Sequence, residues 1–256
     1  MVIRFICYVG GSKEKQPANP VGLCQTSKLM EEEKIMPKKY ALLVDLRKCV
    51  GCTSCQVSCK MENSVPLSSF RSKVDIADIG EYPKAKRLFF PKICNHCDEP
   101  PCVEPCPVKG ATFKRGDGVV VVDQNKCIGC GRCVNSCPYG ARYMHPNISV
   151  VNDPAKYAEN VPEVRNKKVG ELRVADKCDY CMHRLDAGIE DPACVRNCVG
   201  RARFFGDLND PKSEISQLMA ANKTSTWEPE FGTKPAVYFI VPDQDVFKVA
   251  SGPING

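Results

Sequence analysis

The stretch Cys127-Ile128-Gly129-Cys130-Gly131-Arg132-Cys133-Val134-Asn135-Ser136-Cys137-Pro138 decides how this chain is read. It spaces four cysteines as CxxCxxCxxxC and closes on a proline. Three other groups follow the same plan. Cys49, Cys52, Cys55 and Cys59 are spaced CxxCxxCxxxC; Cys94, Cys97, Cys102 and Cys106 are CxxCx4CxxxC with Pro107 after the last. Cys178, Cys181, Cys194 and Cys198 are CxxCx12CxxxC. The chain is therefore an internal fourfold repeat of one chemical unit.

A CxxCxxC turn lets three thiolates converge on three irons of a cubane. The CxxxC arm leads a fourth thiolate away, toward a second cluster in two-cluster ferredoxins. Four complete groups predict four 4Fe–4S clusters on sixteen of the eighteen cysteines. Disulfides are the bland alternative, but adjacent CxxC pairs repeated four times make strained, redundant staples. Zinc sites usually join two separated CxxC pairs, so only the fourth group could pass for one. The second and third groups flank one expected hairpin and should exchange their fourth ligands. That gives Cys94, Cys97, Cys102 with Cys137, and Cys127, Cys130, Cys133 with Cys106. By elimination the first and fourth groups pair: Cys49, Cys52, Cys55 with Cys198, and Cys178, Cys181, Cys194 with Cys59. The alternative is four self-contained groups. Cys7 and Cys24 have no partner at ligand spacing and read as bystanders.

Gly51, Gly129, Gly131 and Ser54 are small residues that let backbone N–H groups approach sulfur. His96 and His183 lie in or beside CxxC loops, where a ring N–H could tune a sulfur. His145 reads as a surface or satisfied residue. Lys48, Lys126, Arg132 and Lys177 flank ligands and could offset cluster charge. No catalytic triad, Walker loop or dinucleotide fingerprint is visible, so no catalytic residue is assigned and the chain alone is not read as an enzyme.

The chain has 256 residues, 43% apolar and 26% charged, with a formal charge of +6. Four oxidised clusters with their thiolates carry about −8 together, leaving the loaded protein near neutral. The basic excess is thus a counterweight to buried charge, and nucleic acid is not an expected partner. No apolar run reaches the ~18 residues of a membrane span. Met1–Gly10 holds only Arg4 as a positive charge, with no cleavage site or twin-arginine pair, so no signal peptide is expected.

Residues 1–36 read as a poorly ordered extension. Tyr40 to Asp45 reads as a strand delivering the chain to the first group. Ala111–Arg115 and Val119–Asp123 flank Gly116-Asp117-Gly118 as a hairpin. Residues 146–176 read as a surface insertion. Asn209-Asp210-Pro211 reads as the start signal of a helix over Ser213–Asn222, and Thr233–Val241 as a closing strand.

The run Cys94-Asn95-His96-Cys97-Asp98-Glu99-Pro100-Pro101-Cys102-Val103-Glu104-Pro105-Cys106-Pro107, and Cys178-Asp179-Tyr180-Cys181-Met182-His183-Arg184-Leu185, carry a family resemblance. With Phe205–Pro211 and Gly232–Pro235, they resemble the four-cluster iron–sulfur subunits of molybdopterin oxidoreductases. The flavour is that of polysulfide, thiosulfate and tetrathionate reductases, and the match runs from about Met36 to Val241. The resemblance implies an α+β fold of two nested bacterial-ferredoxin-like modules with β-hairpins, a loop insertion and a C-terminal tail. In those terms 37–92 and 177–210 are the two halves of an outer module, 93–145 is the inner module, and 211–256 is a docking tail. It also implies a molybdopterin-containing catalytic subunit and a quinone-reactive membrane subunit as partners in anaerobic respiration. The chain would be membrane-associated through them, at the periplasmic face by co-export rather than in the cytoplasm. A freestanding polyferredoxin or hydrogenase-linked carrier is the alternative.

Overall fold

The structure, a computed structural model, describes residues 36–66, 69–145, 173–242, 245–249 and 252–255. Met36–Gly256 forms one compact unit; the expected extension before it lies outside the described residues, as does the insertion up to residue 172.

Strand β1, Tyr40–Asp45, is the spine. It pairs antiparallel with Arg203–Asp207 and parallel with Val237–Ile240, so the first, penultimate and last strand segments share one sheet. Its apolar run is continuous because both faces are covered. Leu42 and Val44 enter the main core with Phe90, Tyr139, Trp227, Phe239 and Ile254. Ala41 and Leu43 enter a second core against Ile215 and Ile240. In chain order the remaining elements are α1 (Ser54–Asn63), β2 (Ser72–Ile79), β3 (Lys86–Ile93), β4 (Thr112–Lys114), β5 (Val120–Val122) and α2 (Arg132–Asn135). Then come β6 (Tyr143–Met144), β7 (Ala175–Asp176), α3 (Met182–Asp186), α4 (Ala193–Arg196), β8 (Arg203–Asp207), α5 (Glu214–Ala221), β9 (Val237–Ile240) and α6 (Val246–Val249).

The expected hairpin is present: β4 and β5 pair antiparallel, Phe113 opposite Val121. The closing strand is present over Val237–Ile240. The helix start moves. Ser213, not the Asn209–Pro211 segment, is the N-cap, its side chain accepting from the Ser216 N–H; Asp210 instead makes a turn by accepting from Lys212 N–H at 2.8 Å. The β2–β3 hairpin, eight residues a side, went unread in the sequence. The end of the expected insertion is not surface, since Val174, Ala175 and Asp176 are buried and β7 pairs with β6. Much of the apolar surface of the tail is used internally: Trp227, Val237, Phe239 and Ile254 belong to the main core.

Candidate iron–sulfur centres

Three of the four cysteine groups run from a loop into a short helix, whereas the second, Cys94 to Cys106, lies on turns between β3 and β4. Gly51 has φ +66°, and a Cβ there would meet the Phe89 ring at 2.2 Å. Gly129 has φ +73°, and its Cβ would meet the Arg173 carbonyl oxygen at 2.0 Å. Only glycine admits both the turn and the close approach. All sixteen cysteines are free thiols. Backbone N–H groups point at sulfur from Ala141 to Cys137 at 3.4 Å, Ala175 to Cys127 at 3.4 Å, Tyr180 to Cys178 at 3.4 Å and Ala202 to Cys198 at 3.2 Å.

The fourth cysteine of a group lies with the loop of another group. Cys198 lines one pocket with Cys49, Cys52 and Cys55. Cys106 lines a second with Cys127, Cys130 and Cys133. Cys97 lies within electrostatic reach of Cys94, Cys102 and Cys137, and Cys59 within reach of Cys181 and Cys194. The Asn63 amide N–H reaches both Cys59 Sγ and Cys181 Sγ at 3.6 Å. Ser54 Oγ, on α1, donates to the Asn197 carbonyl at 2.8 Å beside Cys198, which ties the first group to the fourth. Among the described residues no three His, Cys, Asp or Glu side chains close on a single metal ion; in the two pockets four cysteines line one shared space.

The chemistry of these sets fits a cationic iron cluster. Burial pushes the Cys97 thiol up to about 12 and the Cys181 thiol up to about 11, and Cys59 and Cys178 well above the ordinary thiol value. Thiolates at such positions need positive charge beside them, which iron supplies. Two buried arginines add more, and sequence reasoning passed over both. Arg203 lines the Cys49 pocket and acts on Cys55, Cys194 and Cys198. Arg142 acts on Cys102, Cys133 and Cys94. Each guanidinium is almost fully buried and leaves Nη1 without a protein partner. A usable signal was present: both follow a fourth cysteine by five residues, in Cys137 to Arg142 and Cys198 to Arg203.

Of the flanking cations picked from the sequence, Lys177 is buried and its Nζ donates to the carbonyls of Val120 and Cys178. Lys126 pairs with Asp123 at 3.0 Å, Lys48 lies over the Phe204 ring at 5.1 Å and Arg132 is exposed. His145 is not a surface residue: it is buried, and its Nε2 lies 3.2 Å from Asp176 Oδ2. His183 Nε2 lies 2.5 Å from Glu62 Oε1, away from sulfur. His96 is buried, and burial holds its pKa well below the ordinary imidazole value.

No helix among the described residues is long and apolar enough to cross a membrane. Residues 85–153, which hold the second and third groups, match the 4Fe-4S dicluster domain family. The chain is 41% identical over 206 residues to a tetrathionate reductase subunit of Salmonella typhimurium, covering 79% of this chain and 72% of that one. It is 39% identical over 211 residues to a selenate reductase subunit of Mesobacillus selenatarsenatis, covering 79% and 72%. Against the arsenate respiratory reductase iron–sulfur subunit of Shewanella sp. it is 35% identical over 231 residues, covering 79% and 96%. Motif, cysteine placement and similarity meet in one conclusion: the chain belongs to the iron–sulfur electron-transfer subunits of the molybdopterin oxidoreductases, and its cofactors are 4Fe–4S clusters.

Proposed function

We propose that the sixteen cysteines hold four clusters in crossed sets and that the chain is a wire in a respiratory complex. One set is Cys49, Cys52, Cys55 and Cys198; the next is Cys178, Cys181, Cys194 and Cys59. The third is Cys94, Cys97, Cys102 and Cys137, and the fourth Cys127, Cys130, Cys133 and Cys106. The observation that carries this is the company of Cys198 and Cys106, each beside three cysteines of a different group. In this reading the two inner groups build one ferredoxin-like module, nested inside an outer module built from the first and fourth groups.

Burial orders the wire. Cys52 and Cys130 are exposed, whereas Cys94, Cys97, Cys178, Cys181 and Cys194 are buried. The Cys178 and Cys94 sets are neighbours, since Cys178 lies within electrostatic reach of Cys94. The Cys178 and Cys94 sets would hold the two central clusters, and the sets with Cys52 and Cys130 the two at the exposed ends. Clusters supply one-electron chemistry when bound; the residues of this chain hold them, shield them from water and set the surrounding charge. The partners at the ends are a molybdopterin-containing catalytic subunit and a quinone-reactive membrane subunit, and the complex works at the periplasmic face of the membrane.

Crossing is tested with Cys59→Ala. Paramagnetic resonance of the anaerobically isolated complex should show loss of the same cluster as in Cys178→Ala, while Cys49→Ala removes a different one. If Cys59→Ala and Cys49→Ala convert the same cluster, the groups are self-contained. The intact chain should carry about sixteen irons and sixteen sulfides; eight irons, or stoichiometric zinc, defeats the four-cluster reading.

A further inference from the structure

The loops Cys94–Cys97 and Cys178–Cys181 each place a ring at their third position, His96 and Tyr180. These rings stack on one another, with centroids 3.7 Å apart and planes 21° from parallel. Both residues are 1% exposed, and both hold positive φ, 43° and 54°. Non-glycine residues keep that conformation only where their surroundings over-determine it. Because the two loops belong to the two central sets, the stack lies on the seam between the modules proposed above, and the inference rests on that ligand reading.

Each ring carries a donor without an acceptor. The Val120 N–H donates to His96 Nδ1 at 3.1 Å. A nitrogen that accepts bears no proton, so the imidazole proton sits on Nε2. That Nε2 is buried with no hydrogen-bond partner, and so is the Tyr180 hydroxyl. Buried donors are almost always satisfied, and each exception calls for an explanation. The groups that act electrostatically on the Tyr180 hydroxyl are Cys178, Cys94, Cys97 and Cys194, drawn from both central sets. Cysteine sulfurs are therefore the acceptors at hand for the hydroxyl, and His96 lies inside the Cys94–Cys97 loop, between two ligand positions.

We infer that the stacked pair sets potential at the seam: the Tyr180 hydroxyl and the His96 Nε2–H donate to sulfur of the two central clusters and favour their reduced forms. A reduced cluster carries one more negative charge than an oxidised one, so a donor to sulfur stabilises it more. In these buried surroundings the donors offset the penalty that a low-polarity environment puts on that extra charge.

Tyr180→Phe keeps the ring and the stack and deletes only the hydroxyl. In the intact complex, redox titration followed by paramagnetic resonance should show the reduced-to-oxidised ratio of a central cluster falling roughly tenfold at fixed potential. For a one-electron couple that is a downward shift of about 59 mV. The clusters at Cys52 and Cys130 should move far less. Unchanged potentials at both central clusters overturn the inference. A second measurement stands apart from the titration: pulsed paramagnetic resonance of the reduced complex in D2O. Exchangeable deuterons should couple to the central clusters, one of them lost in Tyr180→Phe and one, from His96, retained. No coupled deuteron in the wild type, or none lost in the variant, also overturns it. The ligand reading fails separately, through Cys59→Ala, before either experiment is made.

Discussion

Buried arginine beside sulfur is the residue-scale device of this protein. A guanidinium is always charged and carries five donors, so placing one among thiols is costly unless anions satisfy it. Arg203 has one bond to a neutral partner, Nη2 to Ser72 Oγ at 3.1 Å, and Arg142 has Nη2 to Thr112 Oγ1 at 2.8 Å. Each keeps an Nη1 without a protein partner, and its charge acts on thiols of two cysteine sets. Reduction adds negative charge, so each arginine should raise the potentials of the clusters around it. Arg203→Met is expected to lower both the Cys49-set and Cys178-set potentials, each by roughly a tenfold change in reduced-to-oxidised ratio. Arg203→Lys should recover part of the shift, because charge persists while the planar fork is lost. Redox titration monitored by paramagnetic resonance reads both; an unmoved pair of potentials would show that Arg203 only fills space. The cysteines were legible from their spacing. These arginines were not picked out, because a lone Arg in sequence is solvated by default and only burial shows otherwise.

At the element scale, the CxxC loops hold their shape through glycine and through what packs on them. Gly51 rests on the Phe89 ring of β3 and Gly129 on the Arg173 backbone just before β7. Gly129→Ala should be the more damaging, because a backbone carbonyl cannot rotate aside as a ring can. We expect iron to fall by about one cluster, roughly four atoms per chain, in Gly129→Ala, with a smaller loss in Gly51→Ala. Iron and sulfide assays of the purified variants check this, and full iron in Gly129→Ala would contradict it. The β2–β3 hairpin that supplies Phe89 escaped the sequence reading, although Val74, Ile76 and Leu88 to Phe90 lie on either side of Gly80 and Pro83 in a strand–turn–strand pattern. The cysteine groups on either side dominate that stretch, and Pro91 inside β3 argues against a strand unless it lies at an edge. In the two-stranded β2–β3 sheet, every strand is an edge.

For the whole molecule, one buried ion network joins segments far apart in the chain. Arg71 donates from Nε and Nη2 to both oxygens of Asp176, at 3.0 and 2.8 Å, and from Nη1 to Asn63 Oδ1 at 3.0 Å. Asn63 in turn faces Cys59 and Cys181. Burial works against ionising Asp176, but the Arg71 guanidinium outweighs it and holds the carboxyl well below the usual range. A depressed carboxyl contributes stability that is complete above its unfolded value, about 3.9, and is lost as pH falls toward the folded one. Arg71 Nη1 also donates to Asp179 Oδ1 at 3.0 Å, so Asp176→Asn leaves it one anionic partner and should cost about 1–3 kcal/mol near pH 7. The substitution should also flatten the acid dependence of the unfolding midpoint below about pH 5. Thermal unfolding of the loaded protein across pH reads both effects; parallel wild-type and variant curves would deny Asp176 this role.

Taken alone, the sequence determined the cofactor type, the four groups, the strand before the first of them, the hairpin between the second and third, and the family. Each is written in local spacing, the longest group running only from Cys178 to Cys198. Tertiary structure set Cys198 beside Cys49, Cys52 and Cys55, next to the pairing of β1 with β8. It also decided that Val237–Ile240 runs parallel beside the first strand, that Arg142, Arg203 and His145 are buried, and that His96 lies against Tyr180. The reason is physical: thiol spacing is imposed by covalent geometry along the chain, whereas burial and long-range pairing depend on what the rest of the chain brings to the same place.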